Sequence, residues 1–250
     1  IHDFPSPSAG IHFDAPLLQD YVYNELKNRV TIKENNVSSE DIDADYIFDC
    51  SGKPSSFEEF EMSQYIPVNA VHVTQCSWDY PRFSETLAIA RPYGWVFGIP
   101  LKHRCSIGYM YNKDINSLEE VKEDVQAILS KYDLTPNGAT SSFSFSNYRR
   151  KNNFNKNIVY NGNASFFLEP LEATSFSSVD NINTIAVKNW FTNSSLELSN
   201  ERYHATIDAC ENIIMLHYAA GSSFKSDFWE YAQERGVKCL EKADPSFNYM

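Results

Sequence analysis

The chain has 250 residues, enough for one large or two small domains, and its 42% hydrophobic and 14% aromatic content supports a packed core. A formal net charge of −12, with only short basic clusters such as Arg149-Arg150-Lys151 that read as solvated loop, excludes a nucleic-acid partner, because phosphates demand basic patches. Five widely spaced cysteines make neither a disulfide framework nor a metal-ligand pattern, and no apolar run approaches the roughly 20 residues a membrane span needs, so a cytoplasmic, reducing setting is expected.

Leu17, Leu18, Tyr21, Val22 and Leu26 fall near helical spacing and predict a short amphipathic helix over 16–28, with Asp14 where its N-terminus wants an acceptor. Residues 45–50 predict a buried strand that ends at Ser51-Gly52. From about Pro67 to Tyr111 the chain is β-rich: segments 70–75, 86–91, 95–101 and 106–111 are separated by turn-forming breaks, as an antiparallel sheet requires. Within it the alternation of Trp95, Phe97 and Ile99 puts these three on one face. Ser117-Leu118-Glu119-Glu120 opens a helix that runs to about Tyr132, and 143–148 can return as a strand. Asn161-Gly162-Asn163-Ala164 is a turn. Ser177-Ser178-Val179-Asp180 has the form of a capping box, and Ile182, Ile185, Ala186 and Trp190 recur at helical spacing behind it, so a helix begins close to Thr174. Further helices are predicted near 199–220 and 225–235. The fold class is mixed α/β (α+β), with an antiparallel sheet and C-terminal helices.

The run Phe167-Leu168-Glu169-Pro170-Leu171-Glu172-Ala173-Thr174-Ser175 carries the most chemistry. Pro170 removes a backbone donor and stiffens the path, and the helix beginning near Thr174 directs free N–H groups at the loop. Such a helix start attracts an anion, while Glu172 stands a few residues away as a fixed charge or proton acceptor. The plainer alternative is that both glutamates are solvated and Ser177 merely caps a helix. Trp95 and Phe97 are core residues by default, and His103, His204 and His217 show neither a triad partner nor metal spacing.

The same run resembles the Phe-(Leu/Val)-Glu-Pro-Leu-Glu-Ser-Thr-Gly signature of flavin-dependent halogenases of the tryptophan-halogenase family, and other marks follow in the family's order. Ile11-His12-Phe13-Asp14-Ala15 is similar to its His-Phe-Asp-Ala stretch, and Asp49-Cys50-Ser51-Gly52 to its Asp-(Cys/Ala)-Ser-Gly strand end. Trp95-Val96-Phe97-Gly98-Ile99-Pro100 resembles the Trp-x-Trp-x-Ile-Pro motif, and Gly108-Tyr109-Met110-Tyr111 the Gly-Tyr-Val-Tyr strand. Three positions depart from the pattern: Phe97 stands for the second Trp, Ala173 for a Ser, and Ser175 for a Gly, which puts a Cβ where the backbone could need a positive φ.

The resemblance implies a flavin-monooxygenase-like fold. It divides the chain into a partial flavin-binding region (1–66), a substrate-side sheet (67–150), a flavin and halide loop (151–176) and a helical region (177–250). It implies FAD, reduced by a separate flavin reductase, chloride or bromide as halide, and a small aromatic, tryptophan- or indole-like substrate. Glu172 is the implied catalytic carboxylate; Thr174 and Ser175 offer backbone N–H groups to the halide. Ser51, Gly52, Gly162, Asn163, Ala164 and Pro170 lie against the flavin, and the Trp95-Phe97-Ile99-Pro100 motif keeps it from acting as a monooxygenase. No metal is implied. The glycine-rich turn and the catalytic lysine of family members are not in this sequence, so the chain reads as a fragment lacking the family's N-terminal nucleotide-binding part and its C-terminal end. A flavin-dependent aromatic hydroxylase and a truncated, non-catalytic binding relative are the alternatives.

Overall fold

A computed structural model describes residues 11–34, 37–192 and 194–243; the outer ends of the first and last predicted regions, 1–10 and 244–250, lie outside the described residues. The elements follow in the order α1 (Ala15–Leu26), β1 (Ile47–Asp49), β2 (Phe60–Met62), β3 (Ala70–Ser77), β4 (Leu87–Arg91), β5 (Gly94–Pro100), β6 (Arg104–Tyr111), α2 (Leu118–Lys131), β7 (Thr135–Ser144), β8 (Tyr148–Arg150), β9 (Phe154–Asn155), β10 (Ile158–Tyr160), β11 (Phe166–Phe167), α3 (Ser175–Thr192), α4 (Leu196–Ala220) and α5 (Asp227–Ala243). The mixed α/β class and the C-terminal helices are as the sequence predicts.

A five-stranded antiparallel sheet in the order β4-β5-β6-β3-β7 separates two cores. The side-chain period of two assigns successive residues to opposite faces. Val96, Ile107 and Tyr109 thus pack on Val121, Val125 and Ile128 of α2, while Trp95, Met110 and Val71 pack on Ile214 and Tyr218 of α4 and Phe228 of α5. Helix α2 starts with the predicted capping box, in which the Ser117 hydroxyl accepts from Glu120 N and the Glu120 carboxylate accepts from Ser117 N. The Tyr109 hydroxyl, reaching from β6, donates to Asp124 of α2 at 2.9 Å, and burial together with the Asp124 charge pushes the phenol up.

Phe97 lies directly across from Gly108 on β6, and a Cβ at that glycine would collide with the Phe97 ring. The missing side chain is what lets the ring lie over the next strand. Gly108→Ala is therefore expected to cost about 1–3 kcal/mol by forcing Phe97 off its position. Urea unfolding checks this; an unchanged midpoint contradicts the packing.

Two smaller sheets complete the β structure. β1-β10-β9 contains a parallel β1–β10 pair, and β11-β8-β2 is antiparallel. Four expectations are corrected here. The single strand predicted over 143–148 is two: β7 ends at Ser144 on the large sheet and β8 begins at Tyr148 in another, because buried Asn147 between them donates to Val68 O at 2.9 Å. Arg149-Arg150-Lys151 is not a solvated loop. Arg149 is ion-paired to Glu61 and Asp208, Arg150 lies 3.5 Å over the Tyr160 ring, and Lys151 Nζ donates to Glu58 O. The strand at β1 is only half-buried, with Phe48 exposed. Helix α1 forms with a proline in its first turn, but none of its residues is buried, and Asp14, at the N-cap position as expected, turns its carboxylate to Arg104 at 2.7 Å and not to a helix N–H.

Among the described residues no helix is long and apolar enough to cross a membrane. The cysteines are free; Cys76 and Cys105 face each other across β3 and β6 in the buried core.

Candidate functional site

Two pieces of backbone carry the predicted residues. The first lies at the carboxyl ends of the parallel strands β1 and β10, the side of a parallel sheet where ligands bind in nucleotide folds. Ser51-Gly52 leaves β1 and Asn161-Gly162-Asn163-Ala164 leaves β10, and Asn161 N donates to Asp49 O at 2.8 Å, so the two turns are brought together. The Asp49 carboxylate accepts from Ser51 N at 3.0 Å. Burial alone would raise that carboxyl, but the Ser51 and Ser39 donors and the Arg150 charge outweigh it and hold it below its ordinary value. Gly52 and Gly162 are left-handed, at φ +92° and +56°, and no atom lies within 4 Å of where a Cβ at either would stand. Open backbone of this kind admits close approach of a ligand. Tyr148 fixes the turn from behind by donating to Asn163 O at 2.8 Å, and Asn161 Nδ2 donates to Val179 O and Asn183 Oδ1 of α3. The two turns thus present open, uncrowded backbone side by side.

The second piece is a crook over residues 169–175. Ala173 N donates to Pro170 O at 3.0 Å, closing a turn through Leu171 and Glu172. Ala173 takes a left-handed φ of +49°, a conformation non-glycine residues adopt only when their surroundings impose it. The chain then enters α3, and Thr174 O accepts from Ser178 N at 2.9 Å. The N–H groups of Thr174 and Ser175 meet no acceptor among the described residues, as the first donors of a helix do. The predicted capping box at Ser177 is corrected: Ser177 lies inside the first turn of α3 and its hydroxyl donates to Thr174 O. Ser175 is helical, so the positive φ expected there sits instead at Ala173.

The two glutamates differ sharply. Glu172 is about one-third exposed, and its Oε1 is hydrogen-bonded to His217 Nε2 of α4. Glu169 is 1% exposed; its Oε2 accepts from Trp95 Nε1 at 3.1 Å and from the Tyr218 hydroxyl at 2.8 Å. Burial pushes the Glu169 carboxyl up to about 8, against the smaller opposing effect of the Tyr218 and Trp95 hydrogen bonds. Trp95 thus joins the β5 motif to the crook, while Phe97 is half-buried beside it at 6.1 Å between ring centroids. Exposed Ile99 and buried Pro100 stand at the far end of β5, away from the crook. Phe13 of the His12-Phe13-Asp14 stretch packs edge-on against Phe176 in the first turn of α3, at 5.5 Å.

A hollow of about 660 Å³, lined by residues of the 66–69, 112–115 and 144–147 segments, contains none of the predicted site residues. The crook opens on the protein surface. Among the described residues no group of three or more His, Cys, Asp or Glu side chains could hold a metal. Sequence reasoning missed Glu169, His217 and Tyr218 as partners in the site. The one available signal was that an indole on a buried strand face needs an acceptor for its N–H.

The chain belongs to the tryptophan halogenase family: the family model of that name matches residues 12–242. It is 26% identical to 7-chloro-L-tryptophan 6-halogenase KtzR of Kutzneria sp. (strain 744), over 60% of this chain and 30% of that protein. It is 24% identical to tryptophan 7-halogenase KtzQ of the same organism, over 89% of this chain and 48% of that one. The fold matches the solved tryptophan 6-halogenase SttH of Streptomyces toxytricini with a TM-score of 0.71 at 21% identity, over 92% of this chain and 54% of that structure. The chain therefore spans about half, or less, of the length of these relatives.

Proposed function

We propose that this chain carries the halide side and the substrate side of a flavin-dependent halogenase that acts on tryptophan or a similar electron-rich indole. The observation that supports this reading most is the crook, in which a carboxylate and two helix-start N–H groups lie within four residues, in a chain of the tryptophan halogenase family. In this reading 1–66 and 151–176 serve the flavin and the halide, 67–150 the substrate side, and 177–250 support both.

Ser51, Gly52, Gly162, Asn163, Ala164 and Pro170 hold FAD, which is reduced by a separate flavin reductase and supplies the oxidising chemistry when bound. Thr174 N–H and Ser175 N–H, aided by the positive end of α3, hold chloride or bromide. Glu172 accepts the proton that leaves the substituted ring carbon, a general-base step. His217 orients it by occupying Oε1, which leaves Oε2 free for that proton.

Ser175 is the first residue of α3, where proline is tolerated and only the N–H is lost. Ser175→Pro is therefore expected to raise the KM for halide about tenfold, the worth of one hydrogen bond to an anion, with an unchanged melting temperature. An unchanged halide KM removes Ser175 N–H from the halide site.

The function itself is tested by supplying the complete gene product that contains this chain with FAD, a flavin reductase, tryptophan and either halide, and weighing the product. Halogen added to the indole only when halide is present is expected. Oxygen added irrespective of halide identifies a hydroxylase and overturns the proposal.

A further inference from the structure

The proposed mechanism uses Glu172 and leaves the costlier carboxyl, Glu169, without a role. Burying a carboxyl is expensive, and an apolar side chain of similar size at such a position is often neutral or stabilising. Glu169 nevertheless sits in the core at the junction of three elements. It receives Trp95 of β5 and Tyr218 of α4 on a single oxygen, and Oε1 has no hydrogen-bond partner among the described residues. Tyr218 is in turn held by Phe228 and Trp229 of α5, at 6.4 and 6.1 Å between ring centroids.

Loop and helix meet at two points. Glu169 bonds Tyr218 and Glu172 bonds His217, so two neighbouring residues of α4 grip the loop on both sides of Pro170. Between that grip and α3 lies left-handed Ala173, whose conformation needs fixed ends to persist.

We propose that Glu169 is a positioning residue: pinned by Trp95 and Tyr218, it sets the crook in which Glu172, Thr174 and Ser175 stand. Its consequence for catalysis rests on the halogenase reading; the positioning itself does not, and it is measured without flavin, halide or substrate.

The test is NMR on the chain with ¹⁵N-labelled tryptophan indoles, the Trp95 signal being assigned by its loss in Trp95→Phe. The wild-type Trp95 indole N–H is expected to be protected from exchange and to shift with pH as the one ionisable carboxyl on it titrates. Tyr218, its other titratable neighbour, stays protonated over the same range because burial and Glu169 hold it well above its ordinary value. Glu169→Gln keeps a carbonyl acceptor, so protection stays and the pH response disappears. Glu169→Leu leaves no acceptor; indole exchange speeds by about 10- to 100-fold, and the Ala173 amide and His217 ring signals move as the crook loosens. Unmoved Ala173 and His217 signals in folded Glu169→Leu overturn the proposal. Should Glu169→Leu not fold, Tyr218→Phe decides, since it keeps the packing and removes one donor: moved crook signals support the proposal and unmoved ones overturn it.

Discussion

Glu172→Gln in the complete gene product is expected to lower halogenation by about 10²–10⁴-fold, the range in which general bases contribute, while the fold survives. The fold survives because Glu172 is partly exposed on a turn, and the amide keeps an oxygen for His217. What is lost is the ability to take a proton from the substituted ring, so kcat falls while the KM for tryptophan stays near its wild-type value. Steady-state kinetics with a parallel thermal melt separates the two effects. Full turnover with Gln at 172 rejects Glu172 as the base, and a loss accompanied by a lowered melting temperature assigns it to structure instead.

The second large effect is on stability. The Glu169 carboxyl holds its proton to about pH 8 in the folded chain, against an ordinary value of 4.5 that the unfolded chain shows. Between those two values the folded state binds more protons than the unfolded state, so stability falls as pH rises, by at most about 1.4 kcal/mol per pH unit, and levels off above 8. Glu211, raised by burial and hydrogen-bonded to Ser63, acts in the same direction. Asp49, held low, acts in the opposite sense and only in more acid solution, where its protonation costs stability. Urea unfolding of wild type and Glu169→Gln from pH 5 to 9 isolates the contribution: the stability of wild type relative to Glu169→Gln falls steadily up to about pH 8 and then levels off. Parallel curves would show that Glu169 does not hold a proton in the folded chain.

What was legible in the sequence was local. The strands β3 to β6 were readable from period-two alternation and turn residues, and α2 from a capping box whose two bonds lie three residues apart. Features set by distant partners were not readable. Arg149-Arg150-Lys151 looks like a solvated run until Glu61, Asp208 and the Tyr160 ring are brought to it, and nothing near residue 145 announces that Asn147 will turn inward to Val68. Ser177–Asp180 satisfied the capping pattern, yet the Pro170 turn and left-handed Ala173 end the loop earlier, and the helix starts at Ser175. In the candidate site, the position of Glu172 beside a helix start was visible in the order of residues. Its partner His217, and the Glu169–Trp95–Tyr218 cluster, join residues 45 or more apart in sequence and so required the fold. Helix α1 shows the converse: its apolar residues predicted burial, but the described residues offer it little beyond the Phe13–Phe176 contact and the Asp14–Arg104 pair.

The proposed chemistry depends on an anion held at the start of α3 next to Glu172. Anomalous diffraction from crystals of the complete gene product soaked in bromide tests this most directly. The expected result is a bromide peak within hydrogen-bonding distance of the Thr174 and Ser175 nitrogens, and its loss from the Ser175 side in Ser175→Pro. Bromide bound elsewhere with that position empty would contradict it.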